Sequence, residues 1–264
     1  MTSHTESRSF PASLDIRGLR LLNLAMDEAV AGIESAVLGR RPMRIAFVNA
    51  DCVNVAARNP VYREHLAGMD WVFVDGIGMR IAGEVLKQPV RDNVNGTDLF
   101  PLMCESLAAR GRSIYLLGGR PGIAEAVARW AKSHYPGLAI AGTRDGYYPR
   151  DSTDEVVSEI RESGADVLLV AMGVPLQEAW ISRHAEAAGA TVTIGVGGLF
   201  DFYSNRIPRA PAWMRRWGLE WVYRMIQEPG RLWRRYLVGN AVFLARIGAD
   251  RLIGSRRGAT KEGK

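Results

Sequence analysis

Cysteine and histidine are scarce in this chain: there are two of the first and four of the second in 264 residues. Cys52 and Cys104 lie far apart with no CxxC partner, which excludes a thiol-rich zinc site and fits a reduced compartment. Each reads as a small buried hydrophobe. His4, His65, His134 and His184 share no ligand spacing, so no metal site is expected. Long apolar runs are missing too. No stretch reaches the roughly 18 apolar residues of a membrane span. The opening segment MTSHTESRSFPA is polar and lacks the apolar run of a signal peptide. No Asp-x-Asp pair follows a strand, so a Mg²⁺–nucleotide clamp of that type is unsupported. The G-x-S-x-G elbow, the P-loop and the dinucleotide fingerprint are also absent.

What is present is ordinary globular material with an uneven charge. Hydrophobic residues make up 47% and charged residues 23%, enough apolar content for a sizeable core in one large α/β domain with an appendage. The net charge is +6, yet residues 206–264 hold 14 Lys/Arg against four Asp/Glu, so the rest of the chain is mildly acidic. Four of the seven tryptophans, Trp213, Trp217, Trp221 and Trp233, fall in the same stretch. A basic, Trp-rich tail on an acidic body calls for a partner of its own.

Short apolar or β-branched runs recur at 44–48, 71–74, 113–117, 138–141, 167–170 and 191–194, each ending near Gly, Asn or Asp. Helix-period segments lie between them at 77–86, 99–109, 123–133, 153–162 and 177–188, and an opening helix is expected over 19–38. Near-continuous apolar strands joined by helices predict a parallel sheet with helices on both faces. The apolar strip of the opening helix serves either self-association, a possible homo-oligomer, or core packing. In such sheets ligands gather at the carboxyl ends of the strands. The residues just after the strands are therefore the candidates: Asn49 and Asp51, Asp75 and Gly76, Gly118, Gly119 and Arg120, Tyr147 and Tyr148, Gln177, and Gly197 and Asp201.

Each has more than one reading. Asp75, at a strand end beside Gly76 and Gly78, is placed either as a general base or as the N-cap of the next helix. The turn 118–122 opens a helix and offers backbone N–H groups and Arg120 to an anion; it also serves as a plain βα turn with Pro121 at the first helical position. Tyr147 and Tyr148 either stack on a base or pack the loop. Gln177 either bonds hydroxyls or sits exposed in a first helical turn. In the tail, Trp213, Trp217 and Trp221 recur every four residues, one stripe if helical. Trp with Arg suits a membrane interface carrying anionic headgroups. Nucleic acid is the rival partner for the same composition, and packing with solvated arginines is the third reading.

Taken in order, these pieces resemble the WecG/TagA/CpsF glycosyltransferases, glycosyltransferase family 26. The matching segments are Val74-Asp-Gly-Ile-Gly78, Asn95-Gly-Thr-Asp-Leu99, Leu117-Gly-Gly-Arg-Pro-Gly122, Gly146-Tyr-Tyr148, Gly173-Val-Pro-Leu-Gln-Glu178 and Gly195-Val-Gly-Gly-Leu-Phe-Asp-Phe202. In the tail, Arg209-Ala-Pro211 and Gly218-Leu-Glu-Trp-Val-Tyr-Arg224 also match, followed by Glu228-Pro229 and Arg235-Tyr236. The resemblance implies a Rossmann-like domain over 16–205, after a loose tail at 1–15, and a membrane-docking helical appendage over 206–264. It implies inverting transfer from a UDP-sugar, of the N-acetylmannosamine type, its uronate or another hexose, to a polyprenyl-diphosphate-linked sugar, with no cofactor, no metal and no nucleic acid. The enzyme would then sit peripherally on the cytoplasmic face of a bacterial plasma membrane and serve exopolysaccharide or cell-envelope synthesis.

By the same resemblance Asp75 is the base. Gln177 and Asp201 belong to the sugar-nucleotide pocket and Tyr147 and Tyr148 lie near the nucleoside. Asn95, Asp98 and Gly197 fall in the matching motifs, and Arg215, Arg216 and Arg224 close the site. Two departures touch the donor side. Asn49-Ala-Asp51 stands where the family often has Thr-x-Asn, and Asn93 stands where it often has Arg, leaving Arg91 or Arg120 as substitutes. Two other readings are a dinucleotide-dependent oxidoreductase, which the missing fingerprint disfavours, and a noncatalytic membrane adaptor that holds a nucleotide-sugar.

Overall fold

The computed structural model describes residues 12–259. Eight strands form one sheet: β1 (Ser13–Ile16), β2 (Leu19–Leu22), β3 (Met43–Val48), β4 (Trp71–Val74), β5 (Ser113–Gly118), β6 (Ala139–Arg144), β7 (Val167–Ala171) and β8 (Val192–Gly195). Their spatial order is β1-β2-β4-β3-β8-β7-β5-β6. Only the β1–β2 pair is antiparallel. β7 and β8 are buried at every position, as Val/Leu/Ile-rich strands covered on both faces must be. One core layer gathers Ile33, Phe100, Val127 and Phe200. The opposite layer gathers Val53, Leu66, Met79, Ile160 and Ile181. The α/β parallel sheet with helices on both faces is thus the observed fold.

The amino-terminal region differs from expectation. β1 begins at Ser13, inside the segment read as a loose tail; residues 1–11 of that segment lie outside the described residues. Leu19–Leu22 is a strand, and the first helix is Met26–Leu38. Arg17 and Gly18 both have positive φ, the backbone of a tight two-residue hairpin, so the alternating LRLL pattern pairs with β1 instead of joining the helix. The apolar strip of the helix, Ala29, Ile33, Ala36 and Val37, is buried in the core. Asparagines start three other helices. Asn49, Asn59 and Asn95 accept backbone N–H bonds at the heads of Ala50–Ala56, Pro60–Ala67 and Gly96–Ala109, each cap contributing about 1 kcal/mol.

From β3 the sheet runs outward through β4 on one side and through β8, β7 and β5 on the other. The chain crosses over between β4 and β5, so the carboxyl ends of these strands border a single crevice. At its edge β5 and β7 meet very closely. A Cβ on Gly118, whose φ is +132°, would lie 2.4 Å from the Ala171 carbonyl oxygen. Gly118→Ala should therefore lower stability by about 2–3 kcal/mol, read as a drop in thermal midpoint; an unchanged midpoint would refute this close approach.

The basic tail is helical and built into the domain. It comprises Ala212–Arg216, Glu220–Gln227, Pro229–Trp233, a π-helical turn at Arg234–Val238, and Gly239–Ala259. Phe243 and Ile247 are wholly buried among the side chains of the second core layer, worth about 2 kcal/mol each in apolar burial. Asn54 donates to the Gly239 carbonyl at 2.8 Å and accepts from Arg246 at 2.9 Å, and Arg17 pairs with Asp250 at 2.6 Å. Lys261 and Lys264 lie outside the described residues. The expected Trp stripe is broken. The helix Ala212–Arg216 ends at Trp217, Gly218 turns the chain at φ +68°, and Trp221 sits on the next helix. Among the described residues no helix is long and apolar enough to cross a membrane.

Candidate active site

Two cavities open side by side along the carboxyl edge of the sheet. The larger, about 710 Å³, lies over β5, β7 and β8; Gly119, Arg120, Tyr147, Gln177, Gly197 and Asp201 line it. The smaller, about 200 Å³, lies between β4 and the appendage; Asp51, Gly76, Asn95, Asp98, Arg215 and Trp221 line it. Asn49, Asp75, Thr97, Phe202, Arg224, Arg235 and Tyr236 belong to both walls.

Asp75 follows β4 directly, its N–H bonded to the Val48 carbonyl at 2.9 Å. The helix after it, Ile77–Val85, is capped at Gly76 without any side-chain bond. Asp75 is therefore not the cap, and its carboxyl is left for the cavities. Gly76 supplies the turn at φ +91°, and its N–H donates to Asn93 Oδ1 at 2.6 Å. The appendage and the loop ends enclose the carboxyl. Burial pushes its pKa up to about 6, while the Asn49 hydrogen bond and the Arg235 charge pull it down and Glu220 and Asp98 push it up. Such a group is ionised at neutral pH yet still basic enough to accept a proton.

The remaining candidates divide by what their polar atoms do. Asn49 uses Oδ1 to cap Ala50–Ala56 and its amide to hold Asp75. Asp51 pairs with Arg235 at 3.0 Å. Asn95 caps Gly96–Ala109 and donates to Asp98 at 2.8 Å; Asp98 also meets Arg209 at 2.9 Å and Arg215 at 3.8 Å. These acidic groups fasten the appendage over the crevice. Asp201 pairs with Arg206 at 2.6 Å and with Arg224 at 3.6 Å, and Arg224 lies 5.0 Å over the Phe202 ring. Gln177 is almost wholly buried. Its Oε1 accepts from the N–H of Gly197 at 2.8 Å and of Gly173 at 3.2 Å, so it ties two loops together and is not an exposed first-turn residue.

Three expected site residues line neither cavity. Gly118 packs on Ala171, Tyr148 accepts a bond from the Trp180 indole at 2.8 Å, and Arg216 is exposed to solvent. The anion reading of the 118–122 turn also narrows. The Gly119 N–H is spent on the Ala171 carbonyl at 3.0 Å and is not free for an anion, while Arg120 lines the larger cavity. Arg91 is paired with Glu28 at 2.9 Å, away from both cavities. Sequence reading placed neither Arg206, Arg235, Asn93 nor Trp221 in the site. Arg235, Trp221 and Asn93 carried signals, the first two in tail segments that match the family and the third as a departure from the family pattern.

The geometry is thus a carboxylate on the wall shared by two polar cavities, under a roof of arginines. Comparison with known proteins names the chemistry. The glycosyl transferase WecG/TagA/CpsF family model matches residues 14–257. The chain belongs to that family and is a glycosyltransferase. An N-acetylglucosaminyldiphosphoundecaprenol N-acetyl-beta-D-mannosaminyltransferase of Bacillus spizizenii is 35% identical over 194 residues, 73% of this chain and 74% of the relative. Its namesake in Staphylococcus aureus strain MW2 is 30% identical over 232 residues, 87% of this chain and 90% of the relative. The family resemblance read from the strand-end motifs is the one the comparison finds.

Proposed function

We propose that the larger cavity holds a UDP-sugar and the smaller one admits the terminal sugar of a polyprenyl-diphosphate-linked acceptor. The observation that carries this reading is the position of Asp75 on both walls, with its carboxyl ionising near pH 6. Asp75 takes the proton of the acceptor hydroxyl as that oxygen bonds to the anomeric carbon. The bond from that carbon to the diphosphate oxygen breaks on the far side, UDP leaves with the electron pair, and the configuration inverts. Arg120, Arg206 and Arg224 line the larger cavity and supply positive charge for the departing diphosphate. Tyr147, exposed at the cavity mouth, suits stacking on the base. Arg215 and Arg235 line the smaller cavity and suit the acceptor diphosphate, in the region where Asn93 replaces the family arginine. The names of the relatives favour an N-acetylmannosamine donor and an N-acetylglucosamine-diphosphate-lipid acceptor. Incubation with a panel of UDP-sugars and a short polyprenyl-diphosphate-N-acetylglucosamine, with EDTA present, should add one N-acetylhexosamine mass to the acceptor. No mass gain with any donor, with EDTA or with added Mg²⁺ or Mn²⁺, would count against the reading.

The same reading puts the protein peripherally on the inner face of the membrane. Trp213 and Trp217 are 60% and 74% exposed beside Arg215 and Arg216, and Ile226, Leu252 and Ile253 are exposed further along the appendage. Exposed indoles with flanking arginines match an anionic interface. Trp213→Ser with Trp217→Ser should weaken co-sedimentation with anionic vesicles about tenfold and leave the thermal midpoint in place, because neither ring is in the core. Unchanged co-sedimentation would remove this face as the membrane contact.

A further inference from the structure

Glu178 is fully buried in the first turn of Leu176–Ala188, directly behind the larger cavity. It forms no ion pair among the described residues. Oε1 accepts from Gln177 Nε2 at 2.9 Å, and Oε2 is buried without a hydrogen-bond partner. Its surroundings are the buried Cys52 thiol and Tyr62 phenol, both of whose ionisations burial pushes up and the Glu178 charge pushes up further. A buried carboxyl costs stability unless something offsets it, so what it holds is informative. It holds the amide of Gln177. An amide can face either way round, and with Nε2 committed to Glu178, Oε1 is left to accept from both Gly197 and Gly173. Those glycines have φ of +55° and +77° and belong to the loops after β8 and β7 that floor the larger cavity. A Cβ on the neighbouring Gly198 would lie 2.6 Å from Arg224 Nη2, so the guanidinium rests directly on this backbone. The floor set by Gln177 is thus the surface on which an arginine of the roof rests.

We propose that Glu178 is a positioning residue for the donor: by accepting from Gln177 Nε2 it fixes the side-chain amide that locks the Gly173 and Gly197 loops into donor-binding shape. Burial, which pushes the Glu178 pKa up to about 7 against the Gln177 hydrogen bond, keeps water from replacing that bond. A carboxyl and an amide both present an acceptor oxygen, so Glu178→Gln keeps the contact and Glu178→Leu removes it. The inference rests on the larger cavity being the donor site, so the test has one readout that needs no donor. In glycine-labelled protein, amide exchange at Gly197 and Gly173 should speed up in Glu178→Leu and stay slow in Glu178→Gln. The donor KM should rise about tenfold in Glu178→Leu with kcat within about threefold, and Glu178→Gln should restore it. Gln177→Leu should raise KM by a similar factor, and the double variant should be no worse than either single one. Unchanged exchange at both glycines in Glu178→Leu would overturn the inference, as would Glu178→Gln being as impaired as Glu178→Leu, or factors that multiply in the double variant. Wild-type protein that binds no UDP would instead overturn the donor reading, and the exchange rates would still decide the role of Glu178.

Discussion

Asp75→Asn should bind UDP like the wild type and transfer sugar about 10²- to 10⁴-fold more slowly, the range general-base assistance spans. The amide matches the carboxylate in size and can still bond to Asn49, so the crevice keeps its shape while the proton acceptor is gone. The pH profile makes the assignment specific. Burial raises the Asp75 pKa to about 6, and only the ionised form accepts a proton. Wild-type kcat/KM should therefore rise with pH through about 6 and then level, and the residual activity of Asp75→Asn should lack that limb. Transfer at the wild-type rate, or an unchanged acid limb in the variant, would remove Asp75 as the base.

Arg235→Gln should lose about 10- to 100-fold in transfer at pH 6 and recover much of it at pH 8. Arg235 favours the ionised form of Asp75, so without it the acid limb moves to higher pH. Arg235 also pairs with Asp51, though both side chains are about a third exposed and the pair contributes about 1 kcal/mol or less. Asp51→Asn separates the two effects. It breaks the same ion pair but leaves the cation beside Asp75, so its acid limb should stay near pH 6. An acid limb that stays in place in Arg235→Gln would show that the guanidinium does not tune Asp75.

Much of the site was legible because parallel sheets present their ligands at one edge. Asn49, Asp75, Gly119, Gln177, Gly197 and Asp201 all follow strands whose apolar runs are plain in the sequence, and all line a cavity. What each atom does was not legible. The hydrogen-bonding atoms of Gln177 bond to protein groups, and Tyr148 differs from Tyr147 only in lying one residue further along, where Trp180 takes its hydroxyl. The edge hairpin was hidden because Leu19, Leu21 and Leu22 continue smoothly into the apolar pattern of the helix; the Arg17–Gly18 turn was the separating signal. Arg216 and Arg215 are adjacent, and only the backbone direction of a five-residue helix decides which of them lines a cavity.

The π-helical turn at Arg234–Val238 sets the phase of everything after it. An α-helix advances about 100° per residue, so one residue held in a wider turn rotates the following helix by roughly that angle relative to the preceding one. Upstream of the turn Leu232 is buried, within it Arg235 and Tyr236 line the crevice, and downstream Phe243 and Ile247 seat in the core. These three engagements share one angular setting. Substitutions on the outer face of this long rod leave the setting alone, but a single-residue insertion or deletion between Trp233 and Gly239 would make the anchor and the cavity-lining groups compete for one orientation. The tail is accordingly far more open to change in composition than to change in length.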